Sequence, residues 1–206
     1  MKNPLRYQIT EYDCGPTSLL NGLSYLFQRE EIAPEAVRSV MLFCLDSFGT
    51  DGDPGKNGTS HTAMQFLSHW LDGFGQTGRM ALSSAYLSGR DVNLSQNGRL
   101  ADALRRGGAA VVRTDLEGWH YILFTGLGED CVRAFDPYRE EDGDVPPGVT
   151  GVEDRPGEYN RIIPIARMDS EELRPYAFGP AESREAVLLF NGRTVLTAED
   201  TVEYMI

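Results

Sequence analysis

Nothing in the 206-residue chain approaches the roughly 18 consecutive apolar residues that a membrane-crossing helix requires, and residues 1–13 hold no apolar stretch of the kind a secretory signal carries. Both absences lead us to expect a cytosolic protein with no membrane partner. Cysteine is scarce and odd in number. Cys14, Cys44 and Cys131 do not make a disulfide framework for a domain of this size, and a reducing compartment fits them. No Cys or His pair has the short spacing of a zinc site, and the acidic run Asp51-Gly52-Asp53-Pro54-Gly55 lacks the closing acid of a calcium loop. No metal or other cofactor is therefore expected. Positive charge is in deficit, with 19 Lys and Arg against 31 Asp and Glu, a net charge of −12 and a pI near 4.7. Phosphate binding needs clustered Lys and Arg, so nucleic acid is excluded as a partner, and any charged partner is expected to be basic. Internal repeats and low-complexity tracts are also missing.

Against this background one stretch stands out, Gln8-Ile9-Thr10-Glu11-Tyr12-Asp13-Cys14-Gly15-Pro16-Thr17-Ser18-Leu19-Leu20. It places a thiol where an apolar helix opens. Pro16 suits a first helical position because its missing N–H would be unsatisfied there anyway, and Leu19, Leu20, Leu23, Leu26 and Phe27 follow at helical spacing. Free backbone N–H groups at a helix start favour a thiolate, the reactive form of cysteine. Structural cysteines lie inside apolar runs, and this one does not.

The rest of the chain reads as helices first and strands afterwards, an α+β arrangement. Residues 1–191 are expected to form one domain and 192–206 a small C-terminal appendage of turn, strand and short helix. Pro34 and Glu35 open a second helix with apolar positions Val37, Val40, Met41, Cys44 and Leu45, whose Cys44 points to the core. A Gly- and Asp-rich surface loop from Phe48 to Gly58 follows. Thr59 or Ser60 caps a third helix that Gly73 and Gly75 are expected to stop. Further on we expect a weak strand over 79–82, a short helix over 100–106 closed by Gly107-Gly108, strands over 109–114, 119–125 and 132–135, an acidic loop over 138–158, and strands over 161–166 and 186–190 with a helix beginning near Ser170 between them.

A cysteine nucleophile needs a base and a group to orient that base. Of the three histidines, His69 lies mid-helix beside Trp70 and His61 in a first helical turn. His120 instead begins a strand directly after the turn Asp115-Leu116-Glu117-Gly118, where a side chain is offered to a cleft. If the next hairpin turn centres on Glu129, residue 120 faces 138 and residue 122 faces 136. His120 and Asp136 are then diagonal neighbours on one face, about 7 Å apart at Cβ and within side-chain reach. A slip of one residue would break the pairing, and Pro137 ends the ladder beside the aspartate. Rival carboxylates Asp115 and Asp130 sit in turns, where acids are common for local reasons. Gln8, six residues before Cys14, can donate its side-chain amide to an oxyanion, with the Cys14 N–H as second donor.

These residues resemble the bacteriocin-processing leader peptidases of the papain-like cysteine peptidases, and more closely their stand-alone relatives. The resemblance runs from about residue 5 to 190 and rests on four patches: Gln8 through Asp13-Cys14-Gly15; Gly58-Thr59-Ser60; Leu104-Arg105-Arg106-Gly107-Gly108 leading into Ala110-Val111-Val112; and His120-Tyr121-Ile122 through Phe135-Asp136-Pro137. It implies a papain-like fold with N-terminal helices on an antiparallel sheet, a Cys14-His120-Asp136 triad, Gln8 at the oxyanion hole and, as substrate, a peptide such as a leader ending in two glycines. Many such peptidases are fused to an exporter with an ATPase. This chain has neither membrane helices nor a Gly-x-x-x-x-Gly-Lys-Ser/Thr loop, so no exporter role is expected. Pro16-Thr17 after Cys14-Gly15 and the long 138–158 stretch also depart from the pattern.

Three functions are compatible with these residues. The first is a cysteine peptidase or amidase that cleaves a peptide or amide bond through an acyl-thioenzyme resolved by water. The second is acyl or peptidyl transfer on the same triad, with an amine in place of water. The third is a catalytically silent peptide-binding module, against which the completeness of the Gln8, Cys14, His120 and Asp136 set argues.

Overall fold

The structure, a computed structural model, describes residues 3–139 and 145–192. In chain order these form α1 (Cys14–Leu26), α2 (Pro34–Phe43), α3 (His61–Gln76), β1 (Leu82–Ser88), α4 (Arg99–Arg105), β2 (Ala109–Asp115), β3 (Trp119–Leu127), β4 (Cys131–Phe135), β5 (Thr150–Gly151), β6 (Arg161–Pro164), α5 (Ile165–Met168) and β7 (Glu185–Asn191). The described residues are thus α+β, with five helices and one seven-stranded antiparallel sheet of order β1-β7-β2-β3-β4-β6-β5. None of these helices is long and apolar enough to cross a membrane. The appendage expected over 192–206 lies, apart from Gly192, outside the described residues.

The central strands are apolar on both faces, which is why β2, β3 and β7 read as continuous apolar runs although the sheet is antiparallel. Ala109, Val111, Tyr121, Leu123, Val187 and Leu189 share one core with Leu19 and Leu23 of α1 and Met64, Leu67 and Leu71 of α3. The alternate residues Ala110, Val112, Ile122, Phe124, Ala186 and Leu188 share another with Leu100 and Leu104 of α4 and with Met168, Tyr176 and Phe178. The side-chain period of two therefore divides the chain into helices, sheet and a second covering layer. Truncating a fully buried leucine such as Leu19 or Leu67 to alanine costs about 2–5 kcal/mol.

Several element boundaries differ from the expected ones. α1 begins at Cys14 itself, so Pro16 is its third residue. α3 runs through Gly73 and Gly75 to Gln76. Gly75 serves a close crossing instead of a helix stop: a Cβ there would lie 1.7 Å from the Leu82 carbonyl oxygen. The strand expected over 79–82 is displaced to 82–88, where β1 pairs with β7 along its whole length and that pairing overrides its weakly apolar sequence. No helix begins at Ser170. The short α5 precedes it, and residues 169–184 form an irregular strap whose carbonyls at Asp169 and Gly179, with that of Val92, accept from the buried Arg184 guanidinium at 2.9, 2.8 and 3.1 Å. The 138–158 stretch contributes β5 to the edge of the sheet beside β6, with 140–144 outside the described residues.

Candidate active site

The site is assembled where α1 starts and where β3 starts and β4 ends. Asp13 precedes α1 but does not cap it with its side chain. Its carboxylate organises the preceding turn, accepting from the Ile9 N–H at 2.9 Å, the Thr10 N–H at 2.6 Å and the Thr17 hydroxyl at 3.3 Å. Burial opposes ionisation of Asp13, but the hydrogen bonds from the Ile9 N–H and from the Thr10 hydroxyl and N–H outweigh it and hold its pKa below the ordinary value. The turn delivers Cys14 as the first residue of a 13-residue helix, where its N–H has no intrahelical acceptor. Gly15 allows α3 to close on this end: a Cβ on it would lie 2.6 Å from the Thr59 hydroxyl oxygen. Ser60, not Thr59, caps α3, its Oγ accepting from the Ala63 N–H. One turn into α1, the buried Ser18 hydroxyl donates to the Tyr121 carbonyl at 2.9 Å and fixes the height of the helix against β3.

His120 is paired with Thr114 of β2 and is 8% exposed. Its Nε2–H donates to Asp136 Oδ1 at 2.7 Å. The Cys14 thiol acts on the same ring and favours its charged form; with Nε2 bonded to Asp136, Nδ1 is the ring nitrogen left to it. Burial pushes the imidazole towards its neutral form. The Asp136 charge, the hydrogen bond to it and the Cys14 thiol outweigh burial and push its pKa up to about 10.

The expected register holds at the His120 end of the hairpin for an instructive reason. Leu123 faces Phe135 and Phe124 faces Ala134, the alignment that a turn centred on Glu129 produces. Nearer the turn, Gly126 faces Arg133 and Leu127 faces Val132, which centres the actual turn one half-step later, between Glu129 and Asp130. A β-bulge between Phe124 and Gly126 absorbs the extra residue and returns His120 and Asp136 to one face.

Asp136 is 1% exposed and every one of its polar atoms is engaged. Besides His120, Oδ1 accepts from the Tyr138 N–H at 2.8 Å, and Oδ2 accepts from the Tyr176 hydroxyl at 2.6 Å. The Asn160 side chain spans its backbone, accepting from the Asp136 N–H at 2.7 Å and donating to its carbonyl at 2.8 Å. Burial would raise the Asp136 carboxyl, but the His120 charge and the hydrogen bonds from His120, Tyr176 and Tyr138 outweigh it and hold the group below its ordinary value. The rivals play no such part. Asp115 makes backbone bonds to Tyr176 and Ala177, and the Asp130 carbonyl accepts from Ile165. His61 and His69 stand exposed on α3.

Gln8 is placed beside this centre by its backbone, whose N–H donates to the Pro137 carbonyl at 2.8 Å. Its side-chain amide is turned into its own loop, Nε2 donating to the Thr10 carbonyl at 2.7 Å, and its Oε1 is buried without a partner. An amide nitrogen carries two hydrogens, so one remains for a further acceptor. The structure thus brings Cys14, His120 and Asp136 into one chain of contacts and sets Gln8 next to them with its amide engaged elsewhere.

A groove of about 660 Å³ runs along α1 from Asp13, bounded by the N-terminal strap and α2 and lined by Tyr7, Ile9, Pro16, Leu20, Val37 and Cys44 among others, while Cys14, His120, Asp136 and Gln8 do not line it. Asn21 holds the strap, exchanging two 2.8 Å hydrogen bonds with the Arg6 backbone. Of the apolar positions read on the second helix, Val40 and Cys44 are buried, together with Ala36, while Met41 and Leu45 line this groove at 61% and 37% exposure, α2 itself ending at Phe43. No family model and no curated protein matches the sequence. Sequence reasoning missed Ser18, Asn160 and Tyr176. Asn160 borders β6, a neighbour of β4, so correct strand adjacency would have found it, whereas nothing local marks Tyr176, 40 residues from its partner.

Proposed function

We propose that this protein is a cysteine peptidase or amidase with a papain-like fold, acting through an acyl-thioenzyme. The observation that carries this reading is the hydrogen-bonded His120–Asp136 pair, buried and held from both sides, with a thiol at a helix start acting on the same imidazole. In acylation the Cys14 sulfur forms a bond to the carbonyl carbon, and the carbonyl electron pair moves to oxygen. The carbonyl re-forms, the C–N bond breaks, and the imidazolium of His120 gives its proton to the departing amine. In deacylation His120 takes a proton from water as the oxygen attacks the thioester, and the C–S bond breaks to release the acid and regenerate the thiolate–imidazolium pair. Asp136 stays ionised throughout and orients the ring. The Cys14 N–H and the second N–H of the Gln8 amide serve the oxyanion. The apolar groove along α1 favours a peptide chain as the substrate, laid against Pro16 and Leu20 and entering the site past Asp13.

Labelling tests this without knowledge of the substrate. Iodoacetamide at pH 7 should modify Cys14 at least about 10³-fold faster than Cys44, whose thiol is pushed up to about 12, first by burial. Labelling of Cys14 at the rate of Cys44 or Cys131 would overturn the assignment.

A further inference from the structure

The carboxylate that orients His120 is itself held by a residue from a distant part of the chain. Tyr176 is 1% exposed, and its hydroxyl donates to Asp136 Oδ2, the oxygen that His120 does not use, at 2.6 Å. Behind it, the Arg161 Nε–H donates to the same phenol oxygen at 3.2 Å, while Arg161 Nη1 donates to the Asn160 carbonyl at 3.0 Å. A guanidinium, a phenol, a carboxylate, an imidazole and a thiol thus stand in series across β6, the 169–184 strap, β4, β3 and α1.

The backbone at Tyr176 is set for this contact. The residue has φ of 61°, a left-handed conformation that is costly for a bulky side chain. It is clamped to the end of β2 by hydrogen bonds on both sides: the Tyr176 N–H donates to the Asp115 carbonyl at 2.8 Å, and the Asp115 N–H to the Ala177 carbonyl at 2.9 Å. The Thr114 hydroxyl adds a third bond to that carbonyl at 2.9 Å. Thr114 is the strand partner of His120, so the element that seats Tyr176 is the one that seats the imidazole. Ring packing alone would be met by phenylalanine. The strained backbone and the short bond of its hydroxyl to a fully buried carboxylate oxygen call for a donor at this position.

From this arrangement we infer that Tyr176, polarised by Arg161, is a positioning residue for the triad, locking the Asp136 carboxylate in the one orientation that presents Oδ1 to His120 Nε2. The inference rests on the peptidase or amidase reading for its consequence and on geometry for its substance. Carboxylate rotation is the motion it prevents. With Oδ2 held by Tyr176 and Oδ1 shared between His120 and the Tyr138 amide, the two oxygens cannot exchange places without breaking all three bonds. The groups that face Asp136 from the surrounding elements are His120 from β3, Tyr176 from the strap, Asn160 from the start of β6 and the Tyr138 amide from its own chain, with Arg161 reaching it through the phenol. Burial, and then the charge of Asp136, raise the pKa of the Tyr176 phenol, so it remains a donor at all working pH values.

Two readouts on full-length Tyr176→Phe test the role without any substrate. The first is the low-field proton resonance of the His120 Nε2–H in the Asp136 hydrogen bond, which should be present in the parent protein and exchange with water several-fold faster in the variant. The second is the rate of Cys14 alkylation by iodoacetamide at pH 7, which should fall about 3- to 10-fold in Tyr176→Phe, the equivalent of one lost hydrogen bond. In an Asp136→Asn background the same substitution should change the rate less than twofold. A residue that merely supports the fold would slow both backgrounds alike, and that outcome overturns the inference. So does an unchanged proton resonance in Tyr176→Phe. Absence of the resonance from the parent protein, or a Cys14 that labels no faster than Cys44, strikes the peptidase reading itself. Should Tyr176→Phe fail to fold, as judged by its thermal transition, Arg161→Met carries the same test, with an expected slowing of about 2- to 3-fold that is again lost with Asp136→Asn.

Discussion

Cys14 and Cys44 are equally hidden, 7% and 6% exposed, yet they stand in opposite electrostatic settings. Cys14 is the first residue of α1, at the positive end of a helix, with an imidazole in reach. Cys44 is the residue that closes α2, at the negative end of a helix, and burial together with the charges of Asp46 and Cys14 pushes its thiol up to about 12, only partly offset by a hydrogen bond to Thr59. Under the proposed function the two would differ in reactivity at equal burial, through the helix end that each thiol meets and the imidazole on the Cys14 side.

The sharpest way to break the contrast is to remove the cation. His120→Ala should lower kcat/KM on any peptide the protein cleaves by about 10⁴-fold or more. Its Cys14 alkylation rate at pH 7 should drop by one to two orders of magnitude, towards the few per cent of thiolate that an unassisted cysteine carries. A variant that kept its alkylation rate would mean that the helix start alone activates the thiol and that the difference from Cys44 is one of helix polarity.

A smaller effect separates thiol activation from acyl chemistry. Gln8→Ala should reduce turnover about 10²-fold, as expected for one lost oxyanion donor, and leave the Cys14 alkylation rate within twofold of the parent. Alkylation creates no oxyanion, so only turnover should respond. Equal losses in both would place Gln8 in support of the 8–13 turn, consistent with its bond to the Thr10 carbonyl, and not at the oxyanion.

How far the sequence could be read differs along the chain for physical reasons. Cys14, His120 and Asp136 were legible because each belongs to a local pattern: a helix start, a strand start after a turn, and a strand end before proline. The His120–Asp136 pairing came out right although the hairpin turn sits half a residue beyond its expected centre, since the bulge between Phe124 and Gly126 cancels the shift. Period-two burial predicts a face and is blind to such compensation. The misplaced elements share another cause. Gly75 looked like a helix stop because its reason, the Leu82 carbonyl crossing beneath it, belongs to a different element. The 169–184 strap looked helical because the Arg184 guanidinium that replaces a helix's own hydrogen bonds lies at its far end. Tyr176 could not be found at all, since its partner is set by the folded strap and by no spacing along the chain.

The smallest expected effect is on stability, and it sharpens what the imidazole contributes. His120 titrates at about 10 in the folded protein, above its ordinary value of 6.5, so the pair's contribution is fully present below about 6.5 and is lost as pH rises through 10. Asp136 is shifted the other way, and its contribution is present above its ordinary value of 3.8 and lost as pH falls below it. Urea unfolding of the parent and of His120→Gln should therefore give a stability difference that is largest between about pH 4 and 6.5 and that shrinks steadily towards pH 10.5. A difference independent of pH across that range would mean that the ring in the folded protein is neutral. The thiol would then face a base that must take its proton at each turnover, instead of an imidazolium already in place, and the contrast with Cys44 would rest on proton transfer during attack and not on a standing ion pair.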